Sequence, residues 1–148
     1  MAYNQIYQQF PEIGNQWLLA FKFSSEEILS GTNRIIVVSS DEVNSLLKVF
    51  LDDSPALLVR TIIDGSATDI TLTTFPFNEF NTVTYYQIFD SFLHKNIIQV
   101  RVNGAVIGTE EWKYPPPKQY TDFKLFTVNP LSNLPDTILA DTYLLELP

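Results

Sequence analysis

The segment that most constrains the fold is residues 98–108, in which an Asn-Gly pair separates two alternating apolar stretches. A two-residue type I′ turn needs positive φ at both central positions, and Asn103 and Gly104 are the residue types that tolerate it best. The pattern therefore predicts a β-hairpin whose apolar side chains share one face. The expected cross-strand pairs are Val102 with Ala105 and Val100 with Ile107.

Other strand-like segments recur at short spacing and are separated by clusters of Gly, Pro, Asn and Asp. They are rich in β-branched and aromatic residues, and counted with the hairpin they number about ten. This pattern predicts an all-β protein, an antiparallel β-sandwich with little helix. The predicted strands are residues 17–23, 34–39, 46–51, 56–63, 70–73, 82–89, 97–102, 105–108, 123–128 and 142–147.

Residues 41–50 allow a second interpretation, a short amphipathic helix with Ser40 as its N-cap. The favoured alternative is a hairpin, because residues 52–55 form a turn-rich link between strand-like segments on either side.

The length of 148 residues fits one domain, residues 1–148, with residues 1–16 as an extended N-terminal arm. The net charge is −8, and the nine basic residues form no run, so nucleic acid is not an expected partner. The absence of cysteine excludes disulfides and thiolate chemistry. No apolar segment approaches the length that spans a bilayer, so membrane insertion is not expected.

The acidic and basic side chains are poorly arranged for catalysis. Glu26-Glu27 and Glu110-Glu111 are adjacent pairs, and neighbours on a strand point to opposite faces, so neither pair can flank one glycosidic bond. His94 is the only histidine and lies in a polar loop, as a solvated turn residue would. The chain is therefore predicted not to be an enzyme.

Aromatic residues make up 14% of the chain and suggest a ligand site. Trp112, Tyr114 and Tyr120 surround the rigid prolines 115–117, an arrangement suited to stacking on a sugar or a peptide. In the alternative interpretation, these rings cap the sandwich and the prolines protect an edge strand. Tyr86 is a second ligand candidate, as the outward ring of a tyrosine pair. Most phenylalanines are expected in the core, namely Phe21, Phe23, Phe50, Phe75, Phe77, Phe80, Phe89 and Phe126.

The order of elements resembles the second half of laminin-G-like and pentraxin-like domains. In that superfamily an aromatic-led strand precedes a strand that ends in Asn-Gly, and a last strand from the C-terminus packs beside the first. The segments that carry the resemblance are residues 85–89, 97–108, 123–126 and 143–147, the last against 17–23. The resemblance implies a concanavalin-A-like jelly roll of two curved antiparallel sheets.

The resemblance also implies a calcium site at the rim, although no position matches the family pattern cleanly. Asp52 and Asp53 lie in a predicted loop and are the candidate ligands, since carboxylate oxygens suit calcium. Adjacent acids before Ser-Pro are also ordinary turn formers.

The sequence predicts a non-catalytic recognition or adhesion module, laminin-G-like or lectin-like, that binds a glycan or a protein partner. The alternative is a structural jelly-roll subunit of a viral capsid, tail fibre or extracellular filament. Strands that are apolar on both faces, such as residues 35–38 and 143–147, favour a homo-oligomer or a packed neighbouring domain. An extracellular, virion-surface or cell-surface location is expected if the chain is an excised domain, and a cytoplasmic one stays open.

Overall fold

The computed structural model describes residues 4–25, 32–40, 45–52, 56–128 and 138–148. These residues form two antiparallel sheets, so the predicted all-β sandwich is confirmed. One sheet has six strands in the order β1-β10-β3-β4-β5-β6, and the other has five in the order β11-β2-β7-β8-β9. The strands are β1 Asn4–Gly14, β2 Trp17–Ser24, β3 Thr32–Ser39, β4 Leu47–Asp52, β5 Ala56–Ile63, β6 Ser66–Leu72, β7 Asn81–Asp90, β8 Lys95–Val102, β9 Ala105–Glu111, β10 Gln119–Val128 and β11 Ile138–Glu146.

The segment expected as an extended N-terminal arm is largely a strand, since β1 pairs with β10 along most of its length. The sequence did not predict this strand, because its glutamines and Pro11 have low β-propensity. Proline is tolerated at this position because β1 is an edge strand. The favoured hairpin is confirmed, because Leu47–Asp52 form β4 and pair with β5, which excludes the alternative helix at these residues. Residues 41–44 lie outside the described residues.

The predicted Asn-Gly hairpin is present, with φ of 51° at Asn103 and 84° at Gly104. Val102 pairs with Ala105 as expected, but a β-bulge shifts the register, so that Val100 pairs with Gly108 rather than with Ile107. The extra residue in β9 is a local backbone feature that side-chain alternation does not reveal.

The core lies between the sheets and is built from the inward positions of both. The inward side of β2 is fully buried, and β11 pairs with β2 as the family resemblance implied. The chain also crosses between the sheets through the prolines, from β9 to β10. The largest fully buried side chains are Trp17, Tyr85, Tyr120, Phe21, Phe23 and Phe123.

Two buried hydrogen bonds join the sheets across this core. The hydroxyls of Thr61 in β5 and Tyr85 in β7 are 2.7 Å apart, and Gln87 Nε2 donates to the Tyr120 hydroxyl over 3.1 Å. Burial raises the pKa of Tyr85 above its ordinary value, so this side chain is a neutral phenol. Buried hydroxyls with partners add specificity to a core that would otherwise be apolar.

The two sheets also meet along one side, where edge strand β6 lies against edge strand β9. A β-carbon built on Gly108 would lie 2.7 Å from Cγ2 of Ile70, closer than packed atoms allow. Gly108 therefore permits the close approach of β9 to the strand that carries Ile70. Among the described residues, no helix is long and apolar enough to cross a membrane.

Candidate functional site

The structure separates the four aromatic residues predicted to bind ligand. Tyr120 is fully buried, so its ring faces the core and presents no surface to a ligand. Tyr86 lies on the outer face of the five-stranded sheet, and its neighbour Tyr85 is buried, as the alternation predicts. Trp112 packs partly against the core, whereas Tyr114 is 63% exposed. Only Trp112 and Tyr114 remain together, in the segment that follows β9.

The segment around Tyr114 is held by the turn between β5 and β6. The Asp64 carboxylate accepts hydrogen bonds from the backbone N–H groups of Lys113, over 2.8 Å, and Tyr114, over 3.0 Å. Lys113 Nζ lies 5.6 Å from the centre of the Tyr114 ring. The exposed ring therefore stands at the end of the β5–β6 hairpin on a fixed backbone.

The candidate calcium ligands cannot be placed. Asp52 ends β4, but its side chain and the whole of Asp53 lie outside the described residues. The part of the chain that the structure describes contains no group of three or more His, Asp or Glu side chains arranged to hold a metal ion. His94 lies in the exposed turn between β7 and β8, where a solvated turn residue is expected.

A group of hydrogen-bonded polar side chains lies on the outer face of the six-stranded sheet. Arg60 in β5 pairs across the strands with Asp69 in β6. Arg60 Nε donates to Asp69 Oδ1 over 2.8 Å, and a second guanidinium nitrogen donates to Oδ2 over 3.1 Å. The guanidinium carbon also lies 5.7 Å from the centre of the Phe50 ring. A bidentate ion pair and an aromatic face are thus fixed on three adjacent strands.

Further basic side chains surround this group. Lys48 is the cross-strand partner of Arg60, and Arg34 is the partner of Phe50. Basic residues thus occupy three positions on β3, β4 and β5 near Asp69, in a chain whose net charge is −8. We call the surface formed by Arg34, Lys48, Phe50, Arg60 and Asp69 the Arg60 face.

Electrostatics within the pair favour its ionised form. The hydrogen bonds from Arg60 lower the pKa of the Asp69 carboxyl below its ordinary value, and those bonds raise the pKa of the guanidinium. The two side chains are 42% and 41% exposed, so a bound ligand can reach both. A guanidinium has five N–H donors, and Asp69 engages two of them.

The five-stranded sheet carries a similar arrangement without the carboxylate. Arg101 lies 5.9 Å from the centre of the Tyr86 ring, and its Nε donates to the Gln99 side-chain oxygen over 2.9 Å. We call the surface formed by Tyr86, Gln99 and Arg101 the Arg101 face. It repeats the pairing of a cation with a ring but replaces the carboxylate with a neutral amide.

The residues of the Arg60 face were missed in the sequence, and Phe50 was wrongly assigned to the core. The expectation for phenylalanines holds for Phe21, Phe23 and Phe75, which are buried, but Phe80 and Phe89 are 50% and 43% exposed. Two features of the sequence could have identified the Arg60 face. An Asp-Gly turn at residues 64–65 pairs Arg60 with Asp69, and alternation in β4 turns Phe50 outward.

No protein-family model and no curated protein matches the chain. Solved structures do match it. A SAP-like pentraxin from Limulus polyphemus has a TM-score of 0.62 at 11% identity, over 95% of this chain and 68% of the pentraxin. Sheep galectin-11 has a TM-score of 0.51 at 18% identity, over 95% of this chain and 98% of the galectin. The fold is a concanavalin-A-like jelly roll, as the resemblance implied.

An enzyme shares this fold as well. The endo-β-1,4-glucuronan lyase of the fungus Trichoderma reesei has a TM-score of 0.61 at 10% identity, over 97% of this chain and 79% of the lyase. Because a pentraxin, a galectin and a lyase all match at low identity, the similarity describes the architecture alone, and any activity must be argued from the residues of the site.

Proposed function

We propose that this chain is a non-catalytic carbohydrate-binding module that binds glycans on the Arg60 face. The observation that carries the proposal is the bidentate pair of Arg60 and Asp69 beside the ring of Phe50. A sugar offers hydroxyls that both donate and accept hydrogen bonds, together with an apolar ring face. The pair supplies fixed donors and acceptors for the hydroxyls, and Phe50 supplies a surface on which the ring face can pack.

The position of these residues on strands favours recognition. Sites built on sheets hold their side chains more rigidly than sites on loops, and the ion pair reduces the rotamer freedom that binding would otherwise remove. Tyr114 stands at the end of the same hairpin, held by Asp64, and is proposed to contact the outer part of a longer glycan.

The charge of the Arg60 face indicates a preference among glycans. Arg34, Lys48 and Arg60 place three cations among the residues that define this face, against the carboxylate of Asp69, so a glycan that carries a carboxylate or sulfate is favoured over a neutral one. Two of the matching structures, a galectin and a glucuronan lyase, support a carbohydrate ligand by their names. Because their identity to this chain is low, they support the class of ligand and not the residues that bind it.

The test is a glycan array followed by affinity measurement with two matched variants, Arg60→Met and Arg101→Met. Each variant removes a guanidinium that lies over an aromatic ring and keeps its aliphatic stem. Loss of hydrogen bonds to a charged group should weaken glycan binding about tenfold or more in Arg60→Met and leave Arg101→Met within about twofold of the original protein. Binding to no glycan, or equal losses in the two variants, would contradict the proposal.

A second candidate function, a structural subunit, is favoured by the outer side of edge strand β11. Tyr143 and Leu145 are 46% and 50% exposed there, next to Leu18 and Ala20 of β2. An apolar strip along a sheet edge suits contact with another subunit. Concentration-dependent oligomers in solution scattering, without any glycan bound, would favour this function over the first.

A further inference from the structure

The Asn-Gly turn between β8 and β9 is fastened to the start of β7 by three hydrogen bonds. Asn103 N donates to the carbonyl of Thr82 over 2.8 Å, and Thr82 N donates to the side-chain oxygen of Asn103 over 2.9 Å. The third bond runs from Asn103 Nδ2 to Asn81 Oδ1 over 2.9 Å. Both polar atoms of the Asn103 side chain are therefore bonded. We call Asn81, Thr82 and Asn103 the amide lock.

The amide lock distinguishes an amide from a carboxylate at position 103. Asn81 is fully buried, and its Nδ2 donates to the carbonyl of Pro76 over 2.9 Å, which leaves its oxygen facing Asn103. That oxygen needs a donor, which an asparagine supplies and an ionised aspartate lacks. An aspartate at position 103 would place a carboxylate against the Asn81 oxygen and remove the hydrogen bond.

The residue after Asn103 makes this side chain chemically reactive. The backbone nitrogen that follows an asparagine can attack its Cγ, so that a C–N bond closes a succinimide ring and ammonia leaves. Water then opens the ring to aspartate or isoaspartate. Glycine hinders the attack least because it has no β-carbon, and residues 103–104 are the only Asn-Gly pair in the sequence. Both residues are exposed, so water can reach the ring.

From these contacts we propose that Asn103 is a site of spontaneous deamidation, which the amide lock slows and which opens the lock once it has occurred. For the attack, Cγ must approach Gly104 N, and the side chain must leave Thr82 N and Asn81 Oδ1 to do so. The reaction consumes one water and releases one ammonia, so it needs no oxidant, reductant or enzyme. Its rate in the folded protein is set by how often the lock opens.

The products cannot restore the lock. Aspartate and isoaspartate both lack the Nδ2 donor and add a negative charge, and isoaspartate also adds a methylene to the backbone of a two-residue turn. The bond to Asn81 is lost in both cases, beside the point where Val83 of β7 pairs with Val102 of β8. We therefore expect this end of the β7–β8–β9 sheet to open more readily after the reaction, and the reacted fraction to rise with the age of the protein.

The first experiment follows deamidation of the full chain in mildly alkaline buffer by peptide mass spectrometry, with and without denaturant. Because the lock must break first, the folded rate should be about tenfold or more below the rate in denaturant. Asn81→Ala removes the acceptor and should raise the folded rate by about threefold or more. Asn78 is the internal control, since its φ is 59° but Glu79 follows it, and it should react far more slowly than Asn103 in denaturant.

A second experiment tests the lock without changing buried Asn81. Asn103→Asp supplies the product directly and should lower the melting temperature by about 3 °C or more. Asn78→Asp makes the same change at a similar φ, in a side chain that bonds to no described residue, and should stay within about 1 °C of the original protein.

Three results would overturn the proposal: equal deamidation rates in the folded and denatured chains, a folded Asn81→Ala variant that reacts no faster than the original protein, or an Asn103→Asp variant as stable as the original. No measurement involves a glycan, so the outcome is independent of the proposed binding function.

Discussion

The Arg60 face and the Arg101 face present a guanidinium over an aromatic ring on opposite outer surfaces of one sandwich. The distances from the guanidinium carbon to the ring centre are nearly equal, 5.7 Å for Arg60 and Phe50 and 5.9 Å for Arg101 and Tyr86. The partners of the two arginines differ, since Arg60 has a bidentate carboxylate across the strands and Arg101 has an amide oxygen two residues away in its own strand.

On our proposal, this difference is what separates a binding site from a cation that merely lies over a ring. On the Arg60 face the carboxylate fixes the plane of the guanidinium and adds acceptors, so donors and acceptors stand together. On the Arg101 face a single hydrogen bond to a neutral group leaves the guanidinium less constrained. The protein therefore contains an internal control for its own proposed site.

The largest expected effect is a loss of stability when the contact between Gly108 and Ile70 is changed, since this contact holds β9 against the strand that carries Asp69. Gly108→Val places side-chain atoms against Ile70, the residue after Asp69, and should destabilise the fold by about 1–3 kcal/mol through overpacking. Thermal unfolding measures the effect. Thr109→Val, an exposed position on the same strand, is the control and should leave the melting temperature nearly unchanged.

The next effect tests whether the faces are coupled through the core. Thr61 and Tyr85, whose hydroxyls bond across the core, directly follow Arg60 and directly precede Tyr86 in their strands. Tyr85→Phe should lower the free energy of unfolding by about 0.5–1.5 kcal/mol, the value of a typical hydrogen bond. Glycan affinity should remain unchanged in this variant, and a loss of affinity would show that the faces do not act independently.

A smaller effect is expected from the two rings. Phe50→Ala should reduce glycan affinity by about threefold to tenfold, since stacking and cation–π contacts at partly exposed sites are worth about 0.5–1.5 kcal/mol. Tyr86→Ala is the matched change on the other face and should leave the affinity unaltered. Isothermal titration calorimetry would measure both, and a greater loss in Tyr86→Ala would reverse the assignment.

The smallest effect is the pH dependence of the ion pair. Arg60 lowers the pKa of Asp69 in the folded state, so the pair's stabilisation is complete above the ordinary aspartate pKa of about 3.9. It is lost as the pH falls through the lower folded value, and for an exposed pair it amounts to about 0.2–1 kcal/mol. Denaturant unfolding between pH 2 and pH 6 should show this contribution to be absent in Asp69→Asn. The Arg101 face, held by an amide, should contribute no such dependence.

Much of the architecture could be predicted from sequence. The alternation in β2 and the Asn-Gly turn after Val102 placed strands and faces correctly, because burial of one side of a sheet leaves a period of two. The edge strand β1 and the bulge in β9 were not predicted, because polar edge residues and an inserted residue interrupt that period.

The site was less predictable, because its residues come from three strands and none is unusual by itself. Aromatic clustering in sequence pointed to Trp112, Tyr114 and Tyr120, yet the fold sends Tyr120 into the core, where its hydroxyl accepts from Gln87. The hydrogen bonds of the Asn103 side chain were also not predictable from the sequence. Besides adopting positive φ, its side chain accepts from Thr82 N and donates to Asn81, which ties the hairpin to the start of β7.

The most direct test of the proposed glycan site is an NMR titration that follows the Nε–Hε signals of Arg60 and Arg101 as a glycan selected on the array is added. The two signals report on the same chemical group on opposite faces of one molecule. We expect the Arg60 signal to shift with saturation and the Arg101 signal to stay in place. A shift of Arg101 with Arg60 unchanged, or saturable binding that moves neither, would contradict the account.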